Sequence, residues 1–326
     1  MPDRDSTHVR TLSSGDLAGA IRLSTEAGWN QVAADWLRLL ALWPQGCLGI
    51  GAAPLVATGT LAAYSMTEET PAGLPALTGE ARREVGWIGM ILVDGQCRGR
   101  GLGTLMMRGL LDLARDRNLD CVGLDATDMG RPVYEKLGFS PASIFNRWVG
   151  SGSDAPRDSA PTILGGPLAT VVRPLEPADW PAVAALDADA TGVERRPLLE
   201  HLAREVAARA VVATDQGRLT ALGISRAGRT ARAIGPLVAA TPAAAVAVFE
   251  SLRRFDGPGA VPAKTAMIVD VPAASPLEDV LRDAGFAVSR RLTRMTLPLR
   301  PGSRSGLLQG PCQKGTVYAG AGFELG

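Results

Sequence analysis

The chain has 326 residues, 46% of them hydrophobic, and its 34 Lys and Arg against 33 Asp and Glu leave a formal net charge of +1. That length holds two ordinary domains, each with its own core, and the composition excludes a disordered chain. The balanced charge excludes a broad basic field for nucleic acid. His8 and His201 are the only histidines, too few to build a histidine-dependent hydrolase or a histidine-bound zinc centre.

The first residues, Met1 to Arg10, are polar and charged, which is no secretory signal. The pattern then predicts a strand at Val9–Leu12 and a helix over Asp16–Glu26 with Ser14 as N-cap. A second helix over Gln31–Leu42 stops before Pro44. The apolar stretch Leu37–Tyr64 is broken by Pro44, Pro54 and glycines into pieces too short to span a bilayer. Strands are expected at Cys47–Ala52 and Leu55–Ser65, followed by a Pro-, Gly- and Glu-rich loop over Thr67–Arg83. A strand over Val85–Val93, a helix from Gly101 to about Arg117, a strand at Cys121–Asp125, a helix at Arg131–Leu137 and a strand at Phe145–Val149 follow. Cys47, Cys97, Cys121 and Cys312 lack C-x-x-C spacing, which fits reduced thiols in a cytoplasm and offers no metal site.

Gly150–Gly166 reads as a linker, and after it the pattern restarts. A strand at Thr170–Arg173 precedes L-E-P-A-D-W-P-A-V-A-A-L, which echoes L-S-S-G-D-L-A-G-A-I-R-L near the start. Strands at Ala210–Thr214 and Arg218–Ser225 flank the hairpin turn Asp215-Gln216-Gly217. A strand at Ala231–Val238, a helix at Pro242–Arg253, a strand at Met267–Val271, a helix at Leu277–Ala284 and a strand at Arg290–Leu297 complete a second copy, and Tyr318–Gly326 reads as a last strand. Two large copies of one fold are therefore expected, not a solenoid.

The chemistry sits at the end of the strand Val85–Val93. Arg98-Gly99-Arg100-Gly101-Leu102-Gly103 turns there into a helix, so backbone N–H groups and the positive end of the helix dipole converge as a pyrophosphate cradle. No lysine lies between Met1 and Lys136, which excludes a Walker loop, and Thr104 stands where a dinucleotide fingerprint needs glycine. The R-x-x-G-x-G run together with Y-E-K-L-G-F at Tyr134–Phe139 resembles the acyl-CoA site of the GNAT family of N-acetyltransferases. The order of elements also resembles that fold. After Ala233–Val238 the second copy continues Ala239-Ala240-Thr241-Pro242, with no arginine-glycine turn. This arrangement resembles bacterial tandem GNAT proteins with a YitH-type C-terminal domain over most of the chain, by motif in the first half and by pattern in the second.

The resemblance implies an α/β (α+β) architecture of two tandem GNAT folds, each a mixed, mostly antiparallel sheet flanked by helices. The expected division is a GNAT domain over 1–150, a linker over 151–168 and a degenerate copy over 169–326. It implies acetyl-CoA as donor without a metal, with Ile91, Leu92 and Val93 along the pantetheine arm and Arg98, Gly99, Arg100, Gly101, Leu102, Gly103 and Thr104 around the pyrophosphate. Tyr134 matches the family's general acid, or else packs in the core; Asp125 is expected to hold the acceptor's ammonium group and Glu84 to act as base, unless both are solvated strand-end carboxylates. The family's usual asparagine near position 127 is missing, since Thr127 stands there. Trp29, Trp36 and Trp43 either shape the acceptor pocket or fill the core, and Arg290, Arg291 and Arg294 either face an anionic acceptor or are solvated. Cys97, beside two arginines, reads as a bystander, and His201 as a surface or capping residue. The expected enzyme is cytoplasmic, acts on a small-molecule primary amine in a ternary complex, engages no nucleic acid or membrane, and is a monomer or homodimer. Another acyl-CoA enzyme (a longer-chain acyltransferase or a decarboxylase) and a non-catalytic CoA-binding or partner-binding module are the rival readings.

Overall fold

A computed structural model describes residues 8–67, 83–152, 170–254, 265–300 and 317–325. Nearly all of the expected loop Thr67–Arg83, most of the linker, and Cys312 lie outside these residues. The first half runs β1 (Val9–Thr11), α1 (Leu17–Glu26), α2 (Ala33–Leu42), β2 (Cys47–Ile50), β3 (Ala57–Met66), β4 (Glu84–Val93), α3 (Leu102–Asp116), β5 (Cys121–Ala126), α4 (Arg131–Lys136) and β6 (Ser140–Ser151). The second runs β7 (Val171–Pro174), α5 (Trp180–Thr191), β8 (Val193–Glu194), α6 (Arg196–Arg204), β9 (Arg209–Asp215), β10 (Arg218–Arg226), β11 (Arg232–Ala239), α7 (Pro242–Arg253), β12 (Ala266–Pro272), α8 (Leu277–Asp283), β13 (Ala287–Pro298) and β14 (Val317–Ala319).

Two details differ from expectation. The turn before α1 is capped at Ser13, not Ser14: Asp16 Oδ2 accepts from the Ser13 backbone N–H at 2.8 Å and from its hydroxyl at 3.1 Å. Of Tyr318–Gly326 only the first residues are strand, in β14; Phe323–Leu325 form a turn. The β9–β10 hairpin is as expected, with Gln216 at φ 49° and Gly217 at φ 78°, the left-handed pair that a tight two-residue turn requires.

The strands form one sheet in the order β1-β2-β3-β4-β5-β13-β6-β12-β11-β10-β9-β7. Its centre is an exchange. β13 of the second half pairs antiparallel with β5, Arg294 opposite Asp125, while β6 of the first half pairs antiparallel with β12, Arg147 opposite Asp270. β6 and β13 pair with each other between them. Each half therefore gives its late strand to the other's sheet.

In both halves the single parallel junction opens partway along. β4 pairs with β5 at Val85, Gly86 and Trp87. Beyond Trp87 the two strands part, because β4 carries a bulge: Thr58 opposes Leu92 but Thr60 opposes Gly89, and Met90 sits at φ 51° with its carbonyl accepting from Thr58 Oγ1 at 2.9 Å. The equivalent β11–β12 junction pairs at Arg232, Ala233 and Ile234, and there the chain fills its own opening, with β14 pairing Ala319 to Leu237 and Val317 to Val238.

The core lies on both faces of this sheet. α3 buries Met106, Met107, Leu110, Leu111 and Ala114 with Leu61 and Ile88 of β3 and β4. α7 does the same for the second half through Val248, Phe249 and Leu252. A third cluster joins the halves, with Trp36 and Leu39 of α2 alongside Leu198, Leu199 and Leu202 of α6 and Ile224 of β10.

Candidate active site

The bulge and the glycine turn border one cleft. Gly99 and Gly101 sit at φ 76° and 78°, and a Cβ at either would meet nothing within 4 Å, so the turn is open to a ligand along its length. Gly101 is the N-cap of α3 and offers no side chain, so the first-turn N–H groups of that helix lack a side-chain acceptor. Together with the helix dipole, this is an anion site of the kind a diphosphate fills. The cleft beneath measures about 370 Å³ and is walled by Ile91, Val93, Arg98, Gly99, Gly101, Leu102, Gly103, Thr104, Met107, Val133 and Tyr134. The β4 end at Ile91 and Val93 lies in the same cleft as that turn and Tyr134. Of the residues expected around the donor, Leu92 turns into the core at 5% exposure and the Arg100 side chain lies off the cleft wall.

A second cavity of about 290 Å³ shares Ile91 and Tyr134 with the cleft. Tyr134 stands edge-on to Phe139, ring centroids 6.1 Å apart, and burial raises its hydroxyl pKa, keeping it a proton donor at neutral pH. The first half contributes Trp29, Gln31, Ile88, Gly89 and Thr127 to this cavity. The second contributes Thr230, Ile268, Arg290, Leu292, Phe323 and Glu324. Of the three expected tryptophans only Trp29 reaches it; Trp36 is core, and Trp43 donates its indole N–H to the Ala63 carbonyl at 3.0 Å.

The two expected carboxylates are placed differently from each other. Asp125 is on the cavity wall, but both its oxygens accept from Arg294, Nε and Nη2 each at 3.0 Å, and its side chain is fully buried. Desolvation pushes its pKa up against the pull of that guanidinium. Arg294 is in turn held 4.3 Å over the ring of Trp87 and 4.1 Å over that of Phe145. The pair is a buried strut at the strand exchange, its carboxylate charge already matched by the guanidinium. Arg294 is thus neither solvated nor facing an acceptor. Glu84 begins β4, six residues from Met90, which at about 3.3 Å per residue is about 20 Å along the strand. It lines neither cavity.

The carboxylate that sequence reasoning missed is Glu324. It follows β14 in a segment laid against β4: Trp87 Nε1 donates to the Phe323 carbonyl at 2.9 Å and the Tyr64 hydroxyl to the Leu325 carbonyl at 2.7 Å. Gly89 makes the approach possible, since a Cβ there would stand 2.8 Å from Glu324 Cα. The only sequence signal is the alternation of small residues in Ala319-Gly320-Ala321-Gly322, which marks close backbone packing and says nothing of its target.

Among the described residues of the second half, the corresponding helix start and strand edge are both occupied. The N-terminus of α7 is closed by its own Thr241, whose Oγ1 accepts from Ala244 N at 3.2 Å, and Pro242 follows directly. The strand edge beside it is taken by β14.

Comparison with known proteins finds a match in each half of the chain. Residues 8–139 match the acetyltransferase (GNAT) family and residues 183–308 an acetyltransferase (GNAT) domain. A putative acetyltransferase from Pyrococcus horikoshii superposes over 100% of this chain and 98% of its own with a TM-score of 0.70 at 19% identity. A GCN5-related N-acetyltransferase from Sphaerobacter thermophilus superposes over 91% of this chain and 98% of its own with a TM-score of 0.58 at 16% identity. A glucosamine 6-phosphate N-acetyltransferase from Trypanosoma brucei brucei is 40% identical over 57 residues, 18% of this chain and 39% of that protein, so the chain spans about two-fifths of this relative. With two GNAT domains matched in tandem, and the fold shared along its length, the chain belongs to the GNAT acetyltransferases.

Proposed function

We propose that the first half transfers the acetyl group of acetyl-CoA to a primary amine of a small molecule, by direct attack while both are bound. The observation that carries this reading is the meeting of the two cavities at Ile91 and Tyr134: a donor threaded from the glycine turn and an acceptor in the second cavity would face each other there. Proximity of this kind supplies much of the barrier reduction in a two-substrate reaction.

The residues divide the work as follows. Backbone N–H groups of the turn and of α3 hold the diphosphate, and the free edge of β4 from Ile91 to Val93 pairs with the pantetheine amides as a neighbouring strand would. One N–H of the bulged edge polarises the thioester carbonyl, a donor fixed before the reaction begins. The Tyr134 hydroxyl protonates the departing thiolate. Arg290, exposed on β13 and on the cavity wall, suits an acceptor that carries an anionic group beside its amine. The sugar phosphate in the name of the Trypanosoma relative is one such chemistry. The free thiols of Cys47, Cys97 and Cys121 suit a cytoplasmic setting.

Calorimetry of acetyl-CoA with the wild type and with a Gly101→Glu, Gly103→Glu variant tests the reading. Micromolar binding by the wild type, lost in a folded variant whose carboxylates fill the cradle, is the expected result. Absence of wild-type binding would sink it.

A further inference from the structure

Resting on that reading, we propose that Glu324, delivered by the second half of the chain, is the group that receives the acceptor's ammonium and takes its proton before attack. Two carboxylates line the acceptor cavity, Asp125 and Glu324. Arg294 occupies both oxygens of the first. Glu324 is held more loosely: Oε2 accepts from Gln31 Nε2 at 3.2 Å, and Oε1 lies 3.7 Å from Arg38, beyond hydrogen-bond reach. Arg38 is engaged elsewhere, with Asp35 at 2.6 Å and with Glu205. An incoming ammonium would therefore find a carboxylate with spare acceptor capacity in a chamber of mixed apolar and polar lining.

The backbone of Glu324 is held more firmly than its carboxylate. Besides the bonds from Trp87 and Tyr64, Arg226 Nη2 donates to the Ala321 carbonyl at 2.5 Å, and Arg147 lies 4.6 Å over the Phe323 ring. Around the carboxylate stand Asp35 and Arg38 of α2, Glu205 after α6, Arg226 of β10, Tyr64 of β3 and Arg147 of β6, the last held by Asp270 of β12. Desolvation, reinforced by Asp35, raises the Glu324 pKa against Arg226 and Arg38, which favours accepting a proton.

The protons balance. An ammonium acceptor gives one proton to Glu324; the neutral nitrogen bonds to the carbonyl carbon, and the carbon–sulfur bond breaks as the carbonyl re-forms. Tyr134 protonates the thiolate and regains a proton from the newly acylated nitrogen. Glu324 returns its proton to solvent, so each turnover yields amide, thiol and one proton.

The test is initial-rate thiol release from acetyl-CoA with a panel of primary amines, for wild type, Glu324→Gln and Glu324→Asp, with acetyl-CoA calorimetry on each. The glutamine variant is expected to bind donor within about twofold of wild type and to lose at least about 100-fold in kcat/KM for the amine at neutral pH. Its rate should recover as pH approaches the amine's own pKa, where no base is needed. The aspartate variant should fall between. A glutamine variant with the wild-type rate and pH profile overturns the assignment and leaves acetyl transfer standing. A wild type that binds acetyl-CoA but turns over no amine overturns both. Should Glu324→Gln not fold, the wild-type profile decides. A plateau in kcat/KM beginning well below the amine's pKa supports an enzyme base, whereas a climb of unit slope up to that pKa overturns it.

Discussion

At the scale of single residues, Tyr134 combines two properties that a general acid needs. It lines both cavities, and burial keeps its hydroxyl protonated. Tyr134→Phe preserves the ring against Phe139 and removes only the proton, so kcat should fall by about 100-fold while the acetyl-CoA dissociation constant stays put. Unchanged kcat would reduce Tyr134 to a packing residue. Asp16 makes a prediction of another kind. Hydrogen bonds from Arg10 hold its carboxyl at about 2, below the ordinary 3.8. A depressed native pKa contributes stability that is complete above the unfolded value and is lost as pH falls through the folded one, here between 3.8 and about 2. Acid titration of unfolding free energy should show a shallower fall over that window in Asp16→Asn than in wild type.

At the scale of elements, most strands and helices were legible because alternation and helical periodicity survive wherever one face is buried. α6 was not expected as an element, although Pro197, Leu198, Leu199 and Leu202 give it a start and an apolar face. The bulge in β4 was illegible for a different reason. Its left-handed residue is Met90, and nothing in a run of apolar β residues announces a positive φ at methionine. Arg294 misled for a third: a charged residue on a strand reads as solvated, and only the exchange of β13 puts Asp125 and two aromatic rings around it. Glu324 could not be found from local pattern, since its neighbours Gly89 and Gln31 lie more than two hundred positions away. The seat of that segment can be tested through Gly89. Gly89→Val should push residues 322–325 off β4, lowering kcat/KM for the amine far more than donor affinity, as rates and calorimetry on the one variant would show.

At the scale of the molecule, the matched domains and the sheet tell different stories. The two GNAT matches lie side by side in sequence, 8–139 and 183–308, yet β6 and β13 each complete the opposite half's sheet. Residues 1–152 expressed alone would leave β5 and β6 without β13 between them, two long unpaired edges beside an unmatched Asp125. Such a fragment should aggregate or lack native far-ultraviolet circular dichroism, and co-expression with residues 153–326 should restore a soluble complex by size-exclusion chromatography. A soluble, native-like fragment would show that the exchange is dispensable.

β14 lies along β11 where an extended ligand would otherwise add a strand, and Thr241 caps the helix whose N-terminus would otherwise hold its phosphates. Among the described residues, the opening that stays free is the one in the first half. The binding isotherm should saturate at one donor per chain, and no interaction between paired donor sites can arise within a single molecule. In the second copy the chain's own β14 occupies the edge of β11, and the same stretch runs on to wall the cavity beside β4 with Phe323 and Glu324.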